Sequence, residues 1–184
     1  PDEAERRTAA RAGRLDMVGW VGHCLLSDAP FQDRLANFWA NHFTISRRVP
    51  NAGLLVGPWL REVVRPNLFG RFADLLLGTV RHPAMLIYLS NQGSIGPNSR
   101  AGLRSGRGLN ENLAREILEL HTVTPAAGYS QADVTAFAAI LTGWSPDREA
   151  EAPRFRFRPG AHEPGAKTLL GQVFEEGEEG GIAA

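Results

Sequence analysis

The densest group of side chains that could do chemistry lies between Gly108 and His121, where Glu116, Glu119 and His121 fall close together. Carboxylates and imidazoles bind divalent metals and also transfer protons, so the stretch predicts either a metal site or an acid/base site. The spacing Glu-x-x-Glu-x-His differs from the Glu-x-x-His of di-iron bundles, so a metal would need a ligand from another segment. His42 is the candidate for that ligand. The metal candidates are therefore His42, Glu116 and Glu119, and the catalytic candidates add His121.

A structural interpretation of the same stretch stays open beside the chemical one. Glu111, Arg115 and Glu119 follow one another at intervals of four residues, which is the spacing of an exposed ladder of ion pairs on a helix. In that case the carboxylates are surface charges, and His121 is a capped residue near the end of the helix.

His42 lies in an aromatic segment of its own. Phe31, Leu35, Phe38 and His42 recur at helical spacing, so His42 is expected to be buried in the middle of an apolar face. A buried imidazole needs a hydrogen-bond partner. That partner is either a nearby backbone group or a carboxylate of the helix that ends at His121, and only the second would assemble a site.

Arg100, Arg104 and Arg107 lie in a long glycine-rich stretch, residues 91–108, which has no hydrophobic period and is predicted to be a loop. Guanidinium groups and backbone N–H groups at the start of a helix suit a phosphate, sulfate or carboxylate, so the three arginines are a candidate anion site. The alternative is a mobile surface loop. The glycine spacing matches neither a phosphate-binding P-loop nor a dinucleotide-binding motif.

The elements that would position these residues are helices. Leu109, Leu113, Ile117 and Leu120 recur at intervals of four, four and three, which predicts one apolar face on a helix ending at His121. Helical periodicity extends over most of the remaining chain, at residues 2–12, 15–27, 30–45, 54–65, 68–80, 82–91 and 131–143.

The C-terminal part of the chain has a different pattern. Arg154–Arg158 alternates strictly between arginine and phenylalanine, which predicts a half-buried strand, and residues 167–171 are its expected partner. Residues 153–171 should therefore form a β-ribbon. The predicted fold class is mainly α, a single domain over residues 1–184 that forms a multi-helix orthogonal bundle with this small C-terminal ribbon.

Composition excludes several classes. The chain has 184 residues, with 20 basic and 20 acidic side chains, so the net charge gives no support to nucleic-acid binding. The single cysteine cannot form an internal disulfide. No apolar run is long enough for a membrane span.

The residues around the candidate site also resemble a known family. Arg107–Thr122, with the sequence RGLNENLAREILELHT, resembles the signature of the bacterial family catalogued as domain of unknown function 1800. Supporting blocks occur in order at residues 38–43, 85–91, 128–134, 141–144 and 162–171. The resemblance implies a bacterial protein with a periplasmic or extracellular setting and no particular reaction. The family pattern extends beyond both ends, so we expect this chain to be a fragment.

Two functional hypotheses follow. The first is a non-catalytic helical binding or assembly module of an exported system, whose partner is another exported protein or a surface polymer. Its working surface would be grooves lined by arginines and by Trp39, Trp59 or Trp144. The second is a metal-dependent or acid/base enzyme, hydrolase-like, that acts on an anionic substrate held by the arginine loop.

Overall fold

A computed structural model describes residues 3–49, 51–147, 149–150 and 152–184. The chain divides into two compact units, Pro1–Thr79 and Val80–Ala184. The expectation of one domain stays a prediction.

The regular elements in the described part of the first unit are all helical. It contains α1 (Glu3–Leu26), α2 (Pro30–His42), a 3-10 turn (Gly53–Leu55), α3 (Val56–Trp59), a π turn (Leu60–Val64), a 3-10 turn (Arg65–Asn67) and α4 (Phe72–Arg81), whose last two residues belong to the second unit. Its buried apolar residues include Ala36, Phe43, Val56, Trp59, Val64 and Leu75. The Trp59 indole N–H donates to the Thr79 hydroxyl at 3.2 Å, which satisfies a polar group inside this core.

The separate helices predicted at residues 2–12 and 15–27 are wrong, because α1 runs through both without a break. Gly13 lies at the expected break. A single glycine inside a helix costs only about 1 kcal/mol relative to alanine, so the flanking residues carry the helix across it.

The second unit combines helices with short strands. Its helices are α5 (Pro83–Tyr88), α6 (Arg100–Ser105), α7 (Asn112–Glu116) with a π turn (Ile117–His121), α8 (Gln131–Ile140) and α9 (Glu178–Ala183), and 3-10 turns lie at Asn91–Gly93, Pro125–Ala127 and Pro159–Ala161. Ser130 and Asp133 form the capping box that starts α8. The strands are β1 (Trp144–Asp147), β2 (Arg154–Phe157), β3 (Lys167–Leu169) and β4 (Gln172–Phe174).

The stretch between α5 and α7 is more ordered than a loop. Ser99 caps α6 by accepting a hydrogen bond from the Gly102 N–H at 3.0 Å. A Cβ on Gly102 would collide with the Gly96 carbonyl, so glycine is required where these backbones approach each other. The prediction that residues 91–108 lack regular structure is therefore wrong for α6.

The mainly α fold with a small C-terminal β part is confirmed, but the predicted strand pairing is wrong. β2 pairs antiparallel with β1, and β3 pairs antiparallel with β4. Leu170 and Gly171 both have positive φ, 49° and 78°, so a two-residue turn joins β3 to β4 directly. Strand β1 was not predicted because it contains Pro146, and proline argues against a central strand. Proline is nevertheless compatible with an edge strand.

Candidate functional site

Helix α7 and its π turn carry the predicted carboxylates and His121. The Asn110 side chain accepts a hydrogen bond from the Asn112 N–H at 3.0 Å and so stabilises the start of the helix. Leu113, Ala114, Ile117 and Leu118 are buried, and they anchor the helix in the core of the second unit.

The π turn changes which face of this helix is buried. Leu120 was predicted to join the apolar face but is 60% exposed, whereas His121 is only 2% exposed. A π turn holds more residues per turn than an α-helix, so each later side chain rotates away from the position that α spacing predicts. The buried set therefore continues from Ile117 to Leu118 and His121.

The predicted ladder of ion pairs on α7 is confirmed. An Arg115 guanidinium nitrogen lies 3.0 Å from a Glu111 oxygen, and another lies 3.4 Å from a Glu119 oxygen. Glu111 also accepts hydrogen bonds from the Gln131 amide at 3.0 Å and the Thr135 hydroxyl at 3.0 Å. The hydrogen bond from Gln131, assisted by Thr135 and Arg115, lowers the pKa of Glu111, so this carboxylate stays ionised.

Glu116 differs from the other two carboxylates of this helix. It is half-buried, and burial, followed by the negative charge of Glu119, raises its pKa above the ordinary value of 4.5. A raised pKa makes a carboxyl group a better candidate for a general acid than one whose pKa is lowered. Among the predicted candidates, this raised pKa is the property that favours proton transfer.

The other candidate ligand, His42, belongs to the first unit, whereas Glu116, Glu119 and His121 belong to the second. Across the described ranges, no group of three or more His, Cys, Asp or Glu side chains is arranged to hold a metal ion. A divalent metal at His42, Glu116 and Glu119 therefore stays a prediction.

His42 was expected to be buried within an apolar face, and this is wrong because it is only half-buried. Its ring packs edge-on against Trp39 and Phe43, with centroids 5.5 Å and 4.8 Å away. Phe31 and Phe38, which were predicted to share its buried stripe, are exposed. Helix α2 is rotated so that Asp33 and Ala36 face inward instead.

The three arginines of the predicted anion site are exposed. The Arg107 guanidinium donates to the Gly93 carbonyl at 3.2 Å, and the Arg104 side chain donates to the Arg100 carbonyl at 3.2 Å. These contacts fold two of the side chains onto their own segment. Anion binding by Arg100, Arg104 and Arg107 stays a prediction.

Comparison with known proteins identifies the chain as a whole. The family model described as a protein of unknown function, DUF1800, matches residues 2–184. The chain belongs to the DUF1800 family. No curated protein and no solved structure matches it.

The DUF1800 chain also contains a buried polar cluster that the sequence did not reveal. His162 donates from Nδ1 to the Thr142 carbonyl at 2.8 Å, and its Nε2 accepts from the Gly177 N–H at 3.1 Å. The only lysine of the chain, Lys167, lies 3.3 Å from the same Nε2. Burial lowers the pKa of both His162 and Lys167. The cluster joins the end of α8 to the C-terminal hairpin.

The prediction that tryptophans line the grooves of a binding module is wrong for two of the three residues. Trp59 and Trp144 are each only 1% exposed, so both belong to cores. Trp39 is half-buried within the aromatic group around His42. In the described part of this DUF1800 chain, no helix has the length and apolar character of a membrane span.

Helix α1 of this family member carries a series of exposed apolar residues. Leu15, Met17, Val18, Val21, Leu25 and Leu26 are all exposed. The opposite, polar face contacts the rest of the first unit instead. Asp16 pairs with Arg61 at 3.2 Å, and His23 pairs with the buried Asp33 at 2.9 Å.

Proposed function

We propose that this chain is a non-catalytic helical binding module of an exported assembly, and that α1 is its docking helix. The observation that carries the proposal is the exposed apolar face of α1. Val18 is 69% exposed and Leu25 is 78% exposed, although both are large apolar residues in a well-formed helix. A contiguous apolar face of this kind is typical of a protein–protein interaction surface.

The spacing along this face indicates a helical partner. Arg11, Arg14, Val18, Val21 and Leu25 follow one another at alternating intervals of three and four residues. That pattern forms the seam of a coiled coil, in which two helices pack along a shared stripe. Met17 and Leu15 flank the seam and widen its apolar part.

The charges at one end of the seam favour a partner of different sequence. Arg11 and Arg14 are exposed at its N-terminal end, whereas the C-terminal end is apolar. A parallel second copy would place arginines against arginines, and an antiparallel copy would place them against Leu25. A partner helix of complementary sequence avoids both mismatches. Its acidic residues would pair with Arg11 and Arg14, and its apolar stripe would pack against the apolar end of the seam.

The test starts with a photo-crosslinking amino acid at position 21, used in the source cells. The captured protein is then purified, and its affinity is measured for the wild type, for Val18→Asp with Leu25→Asp, and for Leu103→Asp. Leu103 is an exposed apolar residue of α6 and serves as the matched control. We expect the α1 variant to weaken binding at least about tenfold and the control to have no effect.

Equal affinity for the wild type and both variants would contradict the proposal. Crosslinking to lipid alone, with binding to anionic vesicles, would assign the face to a membrane surface instead.

A second candidate function, an acid/base hydrolase acting on an anionic substrate, rests on the raised pKa of Glu116. Glu116→Gln keeps the shape of the side chain but cannot transfer a proton. The test is a screen for hydrolysis of phosphate and carboxylate esters. If this function is correct, the wild type and Glu119→Gln hydrolyse an ester and Glu116→Gln does not. A metal-dependent form additionally requires stoichiometric metal in protein purified without chelator, and its loss from the double variant Glu116→Gln, His42→Ala.

A further inference from the structure

A cavity of about 370 Å³ lies on the packed side of α1, within the first unit. It is bounded by α1, by the turn that contains Arg47, and by the segment Gly57–Arg65. This volume is in the range of small-molecule sites. Half of its lining residues are apolar or glycine: Leu15, Gly19, Trp20, Gly57 and Leu60.

Three guanidinium groups converge on the same cavity. Arg61 pairs with Asp16 at 3.2 Å, and Arg65 pairs with Asp33 at 2.9 Å. Arg47 donates to the Gly13 carbonyl at 3.3 Å, which leaves its charge uncompensated by that contact. Two of the three guanidinium groups therefore pair with carboxylates, whereas Arg47 bonds to a backbone carbonyl.

The contacts around the cavity fix several of these groups in place. The Arg65 guanidinium lies over the Trp20 ring, 5.4 Å from its centroid. A Cβ on Gly57 would collide with the Asp16 carboxylate, so glycine at this position makes room for the Asp16–Arg61 pair. The lining of the cavity therefore combines apolar residues with three guanidinium groups, which are referred to below as the rim.

We infer that this cavity binds a small organic anion with a flat apolar body, of the class of aromatic carboxylates. The apolar lining takes the body of the ligand, and the carboxylate pairs with the guanidinium groups at the rim, whose planar donors match its two oxygens. This site shares only Leu15 with the exposed face of α1 and none of the residues of the seam, so it stands independently of the docking function proposed above.

Two probes with the same apolar body, one anionic and one neutral, test the inference. Naphthalene-2-carboxylate and naphthalene-2-carboxamide have nearly the same shape, so a difference in their affinities reports on the cations. We expect the carboxylate to bind with a dissociation constant of about 1 mM or below and the carboxamide to bind about tenfold more weakly. Calorimetric titration gives the affinities, and the shift of the Trp20 indole N–H resonance locates the ligand.

Two glycines of α1 provide a matched pair of variants for the cavity itself. A Cβ added at either Gly19 or Gly22 meets no other atom within 4 Å, so both positions accept a larger side chain. Gly19 lines the cavity, whereas Gly22 does not. Both substitutions improve helix propensity, so folding is retained. We expect Gly19→Leu to abolish binding of the carboxylate and Gly22→Leu to leave it unchanged.

The rim is tested in the same way. Arg47→Gln should weaken binding of the carboxylate about tenfold and leave the carboxamide unaffected, whereas Arg48→Gln, at an exposed neighbour outside the cavity, should change neither. Equal affinity for the two probes, binding that survives Gly19→Leu, or no binding of the carboxylate at millimolar concentration would each overturn the inference. The docking proposal would survive all three results, because none of these variants changes the residues of its seam.

Discussion

Helices α1 and α7 both carry an apolar stripe beside a charged one, but they pack opposite faces against the protein. In α7 the apolar residues Leu113 and Ile117 are buried, and the charged residues pair with one another at the surface. In α1 the apolar residues are exposed, and polar residues attach the helix to its unit. An amphipathic pattern thus predicts that a helix has an apolar face that can pack against another surface. It does not predict whether that surface belongs to the same chain or to a partner.

The largest expected effect comes from truncating one residue of each apolar stripe. Leu113 is fully buried, so Leu113→Ala should leave a cavity and lower the free energy of unfolding by about 3 kcal/mol. Val18 is exposed, so Val18→Ser should change it by less than about 0.5 kcal/mol. Urea denaturation of both variants measures the difference. Similar losses in the two variants would show that the face of α1 is covered within the chain.

A smaller effect is expected from the polar face of α1. Asp33 is buried, and it pairs with His23 of α1 and with Arg65, both at 2.9 Å. Asp33→Asn should therefore lower the free energy of unfolding by about 2 kcal/mol at neutral pH. If α1 stayed as resistant to proteolysis in this variant as in the wild type, the contacts of Asp33 would not be what attaches α1 to its unit.

The lowered pKa of Asp33 predicts that the free energy of unfolding depends on pH. Hydrogen bonds, first from Ser27 and then from Arg65, hold the pKa of Asp33 below its ordinary value of 3.8 in spite of burial. The unfolded state therefore binds this proton more strongly than the folded state. Its stabilising contribution is complete above a pH of about 4 and is lost as the pH falls through the lower folded-state pKa. Denaturation of wild type and Asp33→Asn between pH 2 and pH 7 should show curves that converge in acid.

The smallest expected effect concerns the ladder on α7. Arg115 joins Glu111 and Glu119, but all three side chains reach solvent. Exposed ion pairs contribute little and are screened by salt. Arg115→Gln should lower the midpoint of thermal unfolding slightly in dilute buffer and not at all in concentrated salt. A loss that persists in concentrated salt would mean that the pairing to Glu111 and Gln131 is structural rather than electrostatic.

Local signals explain why part of this fold was predictable. The capping box at Ser130 and Asp133, the ladder at Glu111, Arg115 and Glu119, and the periodicity through Leu113 and Ile117 all depend on residues within one or two turns. Interactions of that range are set by helix geometry, so they can be predicted from the spacing of the residues alone.

The remaining features depend on contacts that spacing does not encode. The orientation of α2 follows from placing Asp33 next to Arg65 and His23, which come from other segments. The cavity beside α1 likewise draws its guanidinium groups from residues far apart in the chain, Arg47 and Arg61 among them. The pairing of β2 with β1 rather than β3 depends on the tight turn at Leu170 and Gly171, which uses β3 in a hairpin of its own.

The π turn at the end of α7 amounts to one extra residue inserted into a helix. Removing one residue between Ile117 and Leu120 would therefore restore regular α geometry instead of breaking the helix. The side chain of His121 would still face the interior, because the shortened helix places it three residues after Ile117, which is a spacing that keeps two side chains on one face. A related sequence that is one residue shorter at this position could thus keep its buried histidine.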